Sequence, residues 1–390
     1  MNIAICAPAD ITALARCQGV DPTGLALGMG SSPIAPLVEE LLKRQHRVTL
    51  YTLSYGLSCP VYYDWGELRI FAGPSRRLGA ARTLYASEIS YLTRTIAADR
   101  PDFVNAHWTY EFAMAALNAS ARTIVSIHDL PWNVLRYFRD RSRTIRLMMA
   151  YVIAARARRF TAVSEDAARH FSSYMRPGAK VTVVPNFVPQ IVLSKSKGPK
   201  THPGRTLTFA TVLQGWTRRK NPQAALRAFA MVRERIPNAQ LMMLGTEYEE
   251  GGIAFRWAKE NNVSAGVSFL GCMPYPEMLD FLRDRVDAIV MPSLDEALSM
   301  AILENLALGN PIVGGRSTPG VPEQLDSGKT GLLVDVGKPE EIARAMLHLQ
   351  EEPALYNELS QRAFQRASKR YSAETVVDQY ERVYREFLNS

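Results

Sequence analysis

Short apolar runs and longer amphipathic stretches alternate along this chain of 390 residues. A strand covered on both faces of a parallel sheet reads as a nearly continuous apolar run. The helix that crosses over to the next strand reads with apolar residues every three or four positions. In the first half Asn2–Ala7, Arg47–Thr52, Phe103–Ala106, Thr123–Ile127, Arg159–Val163 and Lys180–Val184 read as strands. Pro33–Gln45 lines Ile34, Leu37, Val38, Leu41 and Leu42 along one face and predicts a helix, as does Glu88–Ala98. The second half repeats the pattern, with strands predicted over Thr206–Leu213, Gln240–Leu244, Val267–Leu270, Ala288–Met291, Pro311–Gly314 and Gly331–Val334. Helices are predicted over Pro222–Arg235 and Tyr275–Arg283, and three more close the chain at Pro339–Gln350, Ala354–Arg370 and Ala373–Leu388.

Each half therefore predicts a doubly wound α/β domain, Rossmann-like in layout. The polar segment Val192–Arg205 has two prolines, two glycines and no periodicity, and reads as the linker. That sets a first domain over residues 1–191 and a second over 206–370. Two such domains facing each other leave a central cleft at the carboxyl ends of their strands, where ligands of open α/β sheets bind.

Composition narrows the class. With 47% hydrophobic and 22% charged residues the chain can bury large cores, which excludes a disordered or fibrous protein. The four cysteines, Cys6, Cys17, Cys59 and Cys272, show no C-x-x-C spacing, which argues against a structural zinc or a disulfide scaffold and fits a reducing, cytoplasmic compartment. No apolar run reaches the length of a membrane span; the longest candidate is Leu147–Ala155. The first residues read as a strand rather than a signal peptide.

Charge adds an asymmetry. Residues 1–195 hold 23 Lys and Arg against 14 Asp and Glu, whereas residues 196–390 hold 23 against 24. Anionic partners for the first half follow, such as a phosphorylated acceptor or an acidic membrane surface. Arg136, Arg139, Arg141, Arg143 and Arg146 precede Leu147–Ala155, and Arg156, Arg158 and Arg159 follow it. Such a stretch fits a helix lying on the inner face of an anionic membrane, and equally a buried core helix with basic ends. Nucleic acid is not expected, because no basic motif interleaved with aromatics is present.

The most informative stretch runs from Pro292 to Glu304 and links the strand at Ala288–Met291 to a helix. Glu296 and Glu304 bracket the turn, and between them the amides of Ser299, Met300 and Ala301 form a helix N-terminus, which favours anions and phosphate above all. A carboxylate on either side of a phosphate site suits the diols flanking a pyrophosphate. The same spacing also fits a capping carboxylate beside an unrelated one. A second element, Gly215–Pro222, carries Arg218, Arg219 and Lys220 between a strand and a helix. Cations there can neutralise a departing diphosphate, a charge that develops as the bond breaks. Gly24–Pro33, with Gly28 and Gly30, is too irregular for a dinucleotide fingerprint but lets the backbone approach a ligand. His128 in Ser126–Asp129 and His107 in Asn105–Trp108 end two strands. No Asp-x-Asp and no histidine set with ligand spacing suggests a divalent metal.

The Pro292–Val313 block, followed by Gly314–Glu323 and Gly328–Val334, resembles the E-x7-E element of retaining GT-B glycosyltransferases, glycosyltransferase family 4. The resemblance implies a two-domain GT-B fold whose last segment, 371–390, packs back on the first domain. It implies a nucleotide diphosphate sugar, UDP- or GDP-linked, as donor in the C-terminal domain and an acceptor in the N-terminal one. It implies transfer with retention, no divalent metal and no other cofactor. Under it Glu296 contacts hydroxyls of the donor sugar, Glu304 the ribose, and Lys220 the diphosphate. The family's arginine position holds Gln214 or Gly215 here, so Arg218 is the candidate for the second cation. His128 lies near the donor sugar, Gly28 and Gly30 face its phosphates, and backbone near Cys272 and Met273 reads the base. The acceptor expected is a glycan, lipid-linked or phosphorylated molecule of cell-surface synthesis. A soluble sugar phosphate, or a catalytically silent nucleotide-sugar binder, are the alternatives.

Overall fold

The computed structural model describes residues 1–30, 33–76, 79–119 and 122–389. The chain divides into two compact units: Met1–Asn186 together with the segment from Ala373 onward, and Phe187–Ser372. Each contains one sheet.

The first unit holds β1 (Asn2–Cys6), β2 (Arg47–Tyr55), β3 (Val61–Trp65), β4 (Leu68–Ser75), β5 (Val104–His107), β6 (Thr123–Ile127), β7 (Arg159–Ala162) and β8 (Val181–Val183). Their spatial order is β3-β4-β2-β1-β5-β6-β7-β8. From β1 the chain winds to one side through β2 and β4, then returns and winds to the other through β5 to β8, so the strand order reverses between β1 and β5. Among the described strands only β3 pairs antiparallel, with β4. The two are joined at Gly66-Glu67, too short for a parallel crossover. This hairpin is absent from the sequence reading, because an edge strand of alternating exposure carries no continuous apolar run. The helices Ile11–Cys17 and Pro131–Phe138 are likewise additions. The first stands between the first strand and Gly24–Pro33, so that stretch follows a helix rather than the strand; Ser31 and Ser32 of it lie outside the described residues.

The helix Ala373–Leu388 belongs to the first unit and buries Val376, Val377, Tyr380, Val383 and Tyr384 there. Tyr384 Oη donates to Asn105 Oδ1 at 2.8 Å, a bond spanning 279 positions. Asn105 Nδ2 donates onward to Ser126 Oγ at 2.8 Å, so the last helix is tied to the middle of the sheet.

The second unit holds β9 (Thr208–Val212), β10 (Gln240–Leu244), β11 (Val267–Gly271), β12 (Ala288–Met291), β13 (Ile312–Gly315) and β14 (Leu332–Val334). All pair in parallel, in the order β11-β10-β9-β12-β13-β14. Here the order reverses between β9 and β12. The segment expected as a linker is instead part of this unit. Gln190–Lys195 is helical, Ser196 Oγ donates to Ala307 O at 2.6 Å, and the Lys200 amide donates to Ser360 Oγ at 2.6 Å. Lys200 Nζ donates to the Leu282 and Val286 carbonyls at 3.1 and 2.6 Å, satisfying orphan acceptors at the end of the helix Tyr275–Arg285. A polar composition reads as a linker locally, but its donors find acceptors only once this unit has folded.

Tyr384→Phe leaves Asn105 Oδ1 buried without its donor. Urea unfolding of the first unit should lose about 1–3 kcal/mol, with an unchanged slope against denaturant.

Candidate active site

The two loops that leave β9 and β12 lie on either side of the strand-order reversal in the second unit, where α/β sheets bind ligands. They are stitched together. The Leu294 amide donates to Arg219 O at 2.8 Å, and Asn221 Nδ2 donates to Pro292 O and Val336 O at 3.1 and 2.8 Å. Thr318 Oγ1 donates to Ser293 O at 2.7 Å. Gly320 has φ +76°, and a Cβ there would fall 2.1 Å from Ala297 O, so only glycine lets this neighbour close on the loop.

This stitching brings Lys220 to Glu296. Their Nζ and Oε1 are 2.5 Å apart, with side chains only 12% and 10% exposed. Burial would raise the Glu296 pKa; the charges of Lys220 and Arg219, with hydrogen bonds from Lys220 and Ser293, outweigh it and hold the carboxyl below its ordinary value. Glu296 is therefore an anion at neutral pH. Arg219 also pairs with Asp295, at 3.8 Å. Arg218 is exposed and has no carboxylate partner among the described residues.

Ser299 caps the helix Met300–Ala307, its Oγ accepting from the Ile302 amide at 3.4 Å. One expectation changes here. The Ser299 amide does not face an anion, because it donates to Gln324 Oε1 at 2.9 Å while Gln324 Nε2 donates to Ser299 O at 2.8 Å. Among the described residues the amides of Met300 and Ala301 have no such acceptor. Glu304 is buried one turn further on, and Tyr275 Oη donates to its Oε1 at 2.8 Å. Burial pushes the Glu304 pKa up to about 7, the bond from Tyr275 only partly opposing it. Two carboxylates on one short segment thus sit in opposite electrostatic states. Neither Tyr275 nor Gln324 is legible as a partner from spacing.

Cys272 is exposed beyond β11, with its Sγ 3.4 Å from Thr246 Oγ1, and Met273 is half-buried. The neighbouring Gly271 has both backbone groups committed, its amide to Tyr248 O and its carbonyl to the Gly245 amide. Gln214, which with Gly215 stands where the family pattern has an arginine, donates to Thr246 Oγ1 at 2.8 Å.

In the first unit His128 follows β6. Its Nε2 lies 2.8 Å from His107 Nδ1, and the Trp108 ring stacks on it at 4.2 Å. Burial lowers the His128 pKa to about 3, so the ring is neutral and can exchange hydrogen bonds but carries no charge at pH 7. Gly28 has φ +83°, yet what approaches it is the chain itself: a Cβ would lie 1.9 Å from Ala9 O. Its amide donates to Ser54 Oγ at 2.9 Å. Gly30, φ +66°, has open space around it.

Two family models match. "Glycosyl transferases group 1" covers residues 200–366, and "Glycosyltransferase Family 4" covers residues 34–190. A D-inositol 3-phosphate glycosyltransferase of Corynebacterium jeikeium is 35% identical over 150 residues, 36% of this chain and 35% of that protein. An N-acetyl-alpha-D-glucosaminyl L-malate synthase of Bacillus anthracis is 25% identical over 232 residues, 58% of this chain and 59% of that protein. The chain thus spans between about a third and three fifths of the length of these relatives. Sucrose-phosphate synthase from Thermosynechococcus elongatus superposes with a TM-score of 0.79 at 16% identity, covering 100% of this chain and 99% of that one. That likeness shows the fold, GT-B.

The two carboxylates generate opposite pH signatures. Glu304, raised in the folded state, gives stability that is complete below the unfolded value near 4.5 and is lost as pH rises through about 7. Glu304→Gln should equal wild type at pH 4 and exceed it by up to about 3 kcal/mol at pH 8. Glu296 is lowered, so its contribution is present above the unfolded value and lost on acidification. Lys220→Met strands that anion and should cost about 3 kcal/mol at pH 7, with the deficit shrinking towards pH 4. Denaturant unfolding at the three pH values measures both.

Proposed function

Because the chain belongs to the group 1, family 4 glycosyltransferases and has the GT-B fold, we propose that it moves a sugar from a nucleotide diphosphate sugar to an acceptor hydroxyl, with retention at the anomeric carbon and without a divalent metal. The observation that carries this reading is the largely buried Lys220–Glu296 contact, with Glu296 four and five positions before the amides of Met300 and Ala301, which have no acceptor among the described residues.

In the reading, the bond from the anomeric carbon to the diphosphate oxygen breaks and its electrons pass to that oxygen. Lys220 and Arg218 meet the charge as it appears, so they favour the transition state over the bound donor. The Met300 and Ala301 amides add the positive end of the helix dipole. Glu296, held ionised by Lys220, accepts hydrogen bonds from hydroxyls of the donor sugar. Glu304 and Tyr275 bind the ribose diol, and backbone at Cys272 and Met273 meets the base. The acceptor oxygen bonds to the anomeric carbon on the face the diphosphate leaves, and its proton passes to the departing phosphate oxygen. His128, neutral, offers a hydrogen bond to the sugar rather than a charge.

The basic excess of the first half supports an anionic acceptor, which we read as a lipid-linked or phosphorylated glycan intermediate. A small soluble acceptor is the second reading. It is favoured by relatives named for inositol 3-phosphate and L-malate.

A thermal-shift panel of UDP, GDP, ADP and dTDP and their sugars tests the donor. One nucleotide at a hundredfold excess over its Kd should stabilise the fold by about 2.7 kcal/mol, with or without EDTA. Arg218→Ala, at an exposed site, should melt like wild type and bind that nucleotide about tenfold more weakly. Proton NMR of the product should find the donor's anomeric configuration kept. No response to any nucleotide would overturn the transferase reading; inversion would overturn the mechanism.

A further inference from the structure

We infer that the exposed face shared by the helices Pro131–Phe138 and Arg141–Arg156 docks on an anionic lipid bilayer. The inference rests on the first unit alone and does not depend on the transfer reading.

The helix Arg141–Arg156 is apolar on two sides. Ile145, Leu147, Met149, Ala150, Ile153 and Ala154 are buried. Met148, Tyr151 and Val152 are also apolar yet 54%, 39% and 45% exposed, one turn apart on the other side. A helix that served only the core would be polar there. The row continues off the helix. Trp132 Nε1 donates to Tyr151 Oη at 2.9 Å, and Tyr151 Oη donates to the Tyr174 carbonyl at 3.0 Å. Trp132 and Tyr174 are themselves 43% and 62% exposed. Four large side chains from two helices, with the Tyr174 backbone beside them, thus form one exposed row. Trp and Tyr, with an apolar body and a polar tip, suit the level of lipid headgroups.

The charges beside the row select the partner. Arg136 and Arg139 line one groove with Trp132, Leu135 and Thr144, and Thr144 lies one turn before Met148. Arg136, Arg139 and the nearby Arg141 are exposed and have no carboxylate partner among the described residues. Other arginines of these helices are spent: Arg143 on Asp140, Arg146 on Glu111 and Arg156 on Asn118. Asp140 is the only acid between residues 131 and 160, and it also caps the helix. Free cations flanking an exposed apolar row fit phosphates above and acyl chains beneath. A second copy of this chain fits poorly, because a two-fold contact brings the same cations together. The contact is peripheral: among the described residues no helix is long and apolar enough to cross a membrane.

The test is co-sedimentation of the whole protein with vesicles of phosphatidylglycerol and phosphatidylcholine in equal parts, and with phosphatidylcholine alone, at low and high salt. Wild type should partition onto the anionic vesicles, weakly onto neutral ones, and less at high salt. Arg136→Ala with Arg139→Ala should lose roughly fivefold per arginine, well over tenfold together. Met148→Ser with Val152→Ser should lose binding at both salts while melting alongside wild type; if that variant melts early, the arginine pair carries the test. Both should keep the nucleotide response, so loss of the surface and failure of the transferase reading are separable. Absence of binding to anionic vesicles, equal binding to both compositions, or variants that bind as wild type would each overturn the inference. So would a wild-type dimer that binds no vesicles and that the serine variant dissociates, since the row would then cover a second copy.

Discussion

The reversal of strand order in the second sheet is the constraint on which the candidate site depends. Crossovers carry the chain outward from β9 through β10 to β11, then back to β12 and outward the other way. At that point the loops leaving β9 and β12 diverge from adjacent strands, with no crossover helix filling the space between them. Lys220 lies on one loop and Glu296 on the other, 76 positions apart in sequence, and the reversal makes them neighbours.

That contact sets the electrostatics of everything around it. A buried carboxylate alone would take up a proton; with Lys220 beside it Glu296 keeps its charge. Glu304, eight positions later, has a phenol for a partner instead of a cation, and burial carries it to about 7. The difference between the two lies in their partners rather than in their depth. The pairing also means that Lys220 is already half committed before any ligand arrives. On the proposed reading a diphosphate there would share the ammonium with Glu296, which leaves the exposed Arg218 as the cation without a carboxylate partner among the described residues.

The first unit separates packing from charge in a different way. Its histidine pair, His107 buried and His128 half-buried, is neutral and stacked on by Trp108. Its cations are concentrated on the helices after β6, where some arginines are consumed by internal partners and others remain free. The apolar stretch Leu147–Ala155 fitted two readings, a core helix and a membrane-surface helix. The structure assigns part of it to each side of the helix: one face is buried against the unit along its length, and Met148, Tyr151 and Val152 on the other are left uncovered.

Much of the fold was legible in the sequence because its signals are local. The apolar runs at Gln240–Leu244, Thr123–Ile127 and Ala288–Met291 match strands to the residue, and Pro222–Arg235 matches a helix, since each pattern reflects the period of the element it forms. The spacing of Glu296 and Glu304 around a helix start was equally local. What only the tertiary structure decided is which group each of these meets. The packed strap after Gln190, Gln324 on the Ser299 amide, Tyr275 on Glu304 and Lys220 on Glu296 all join distant parts of the chain. An ion pair or hydrogen bond depends on separation and on exclusion of water, and neither exists until the strand order has been set.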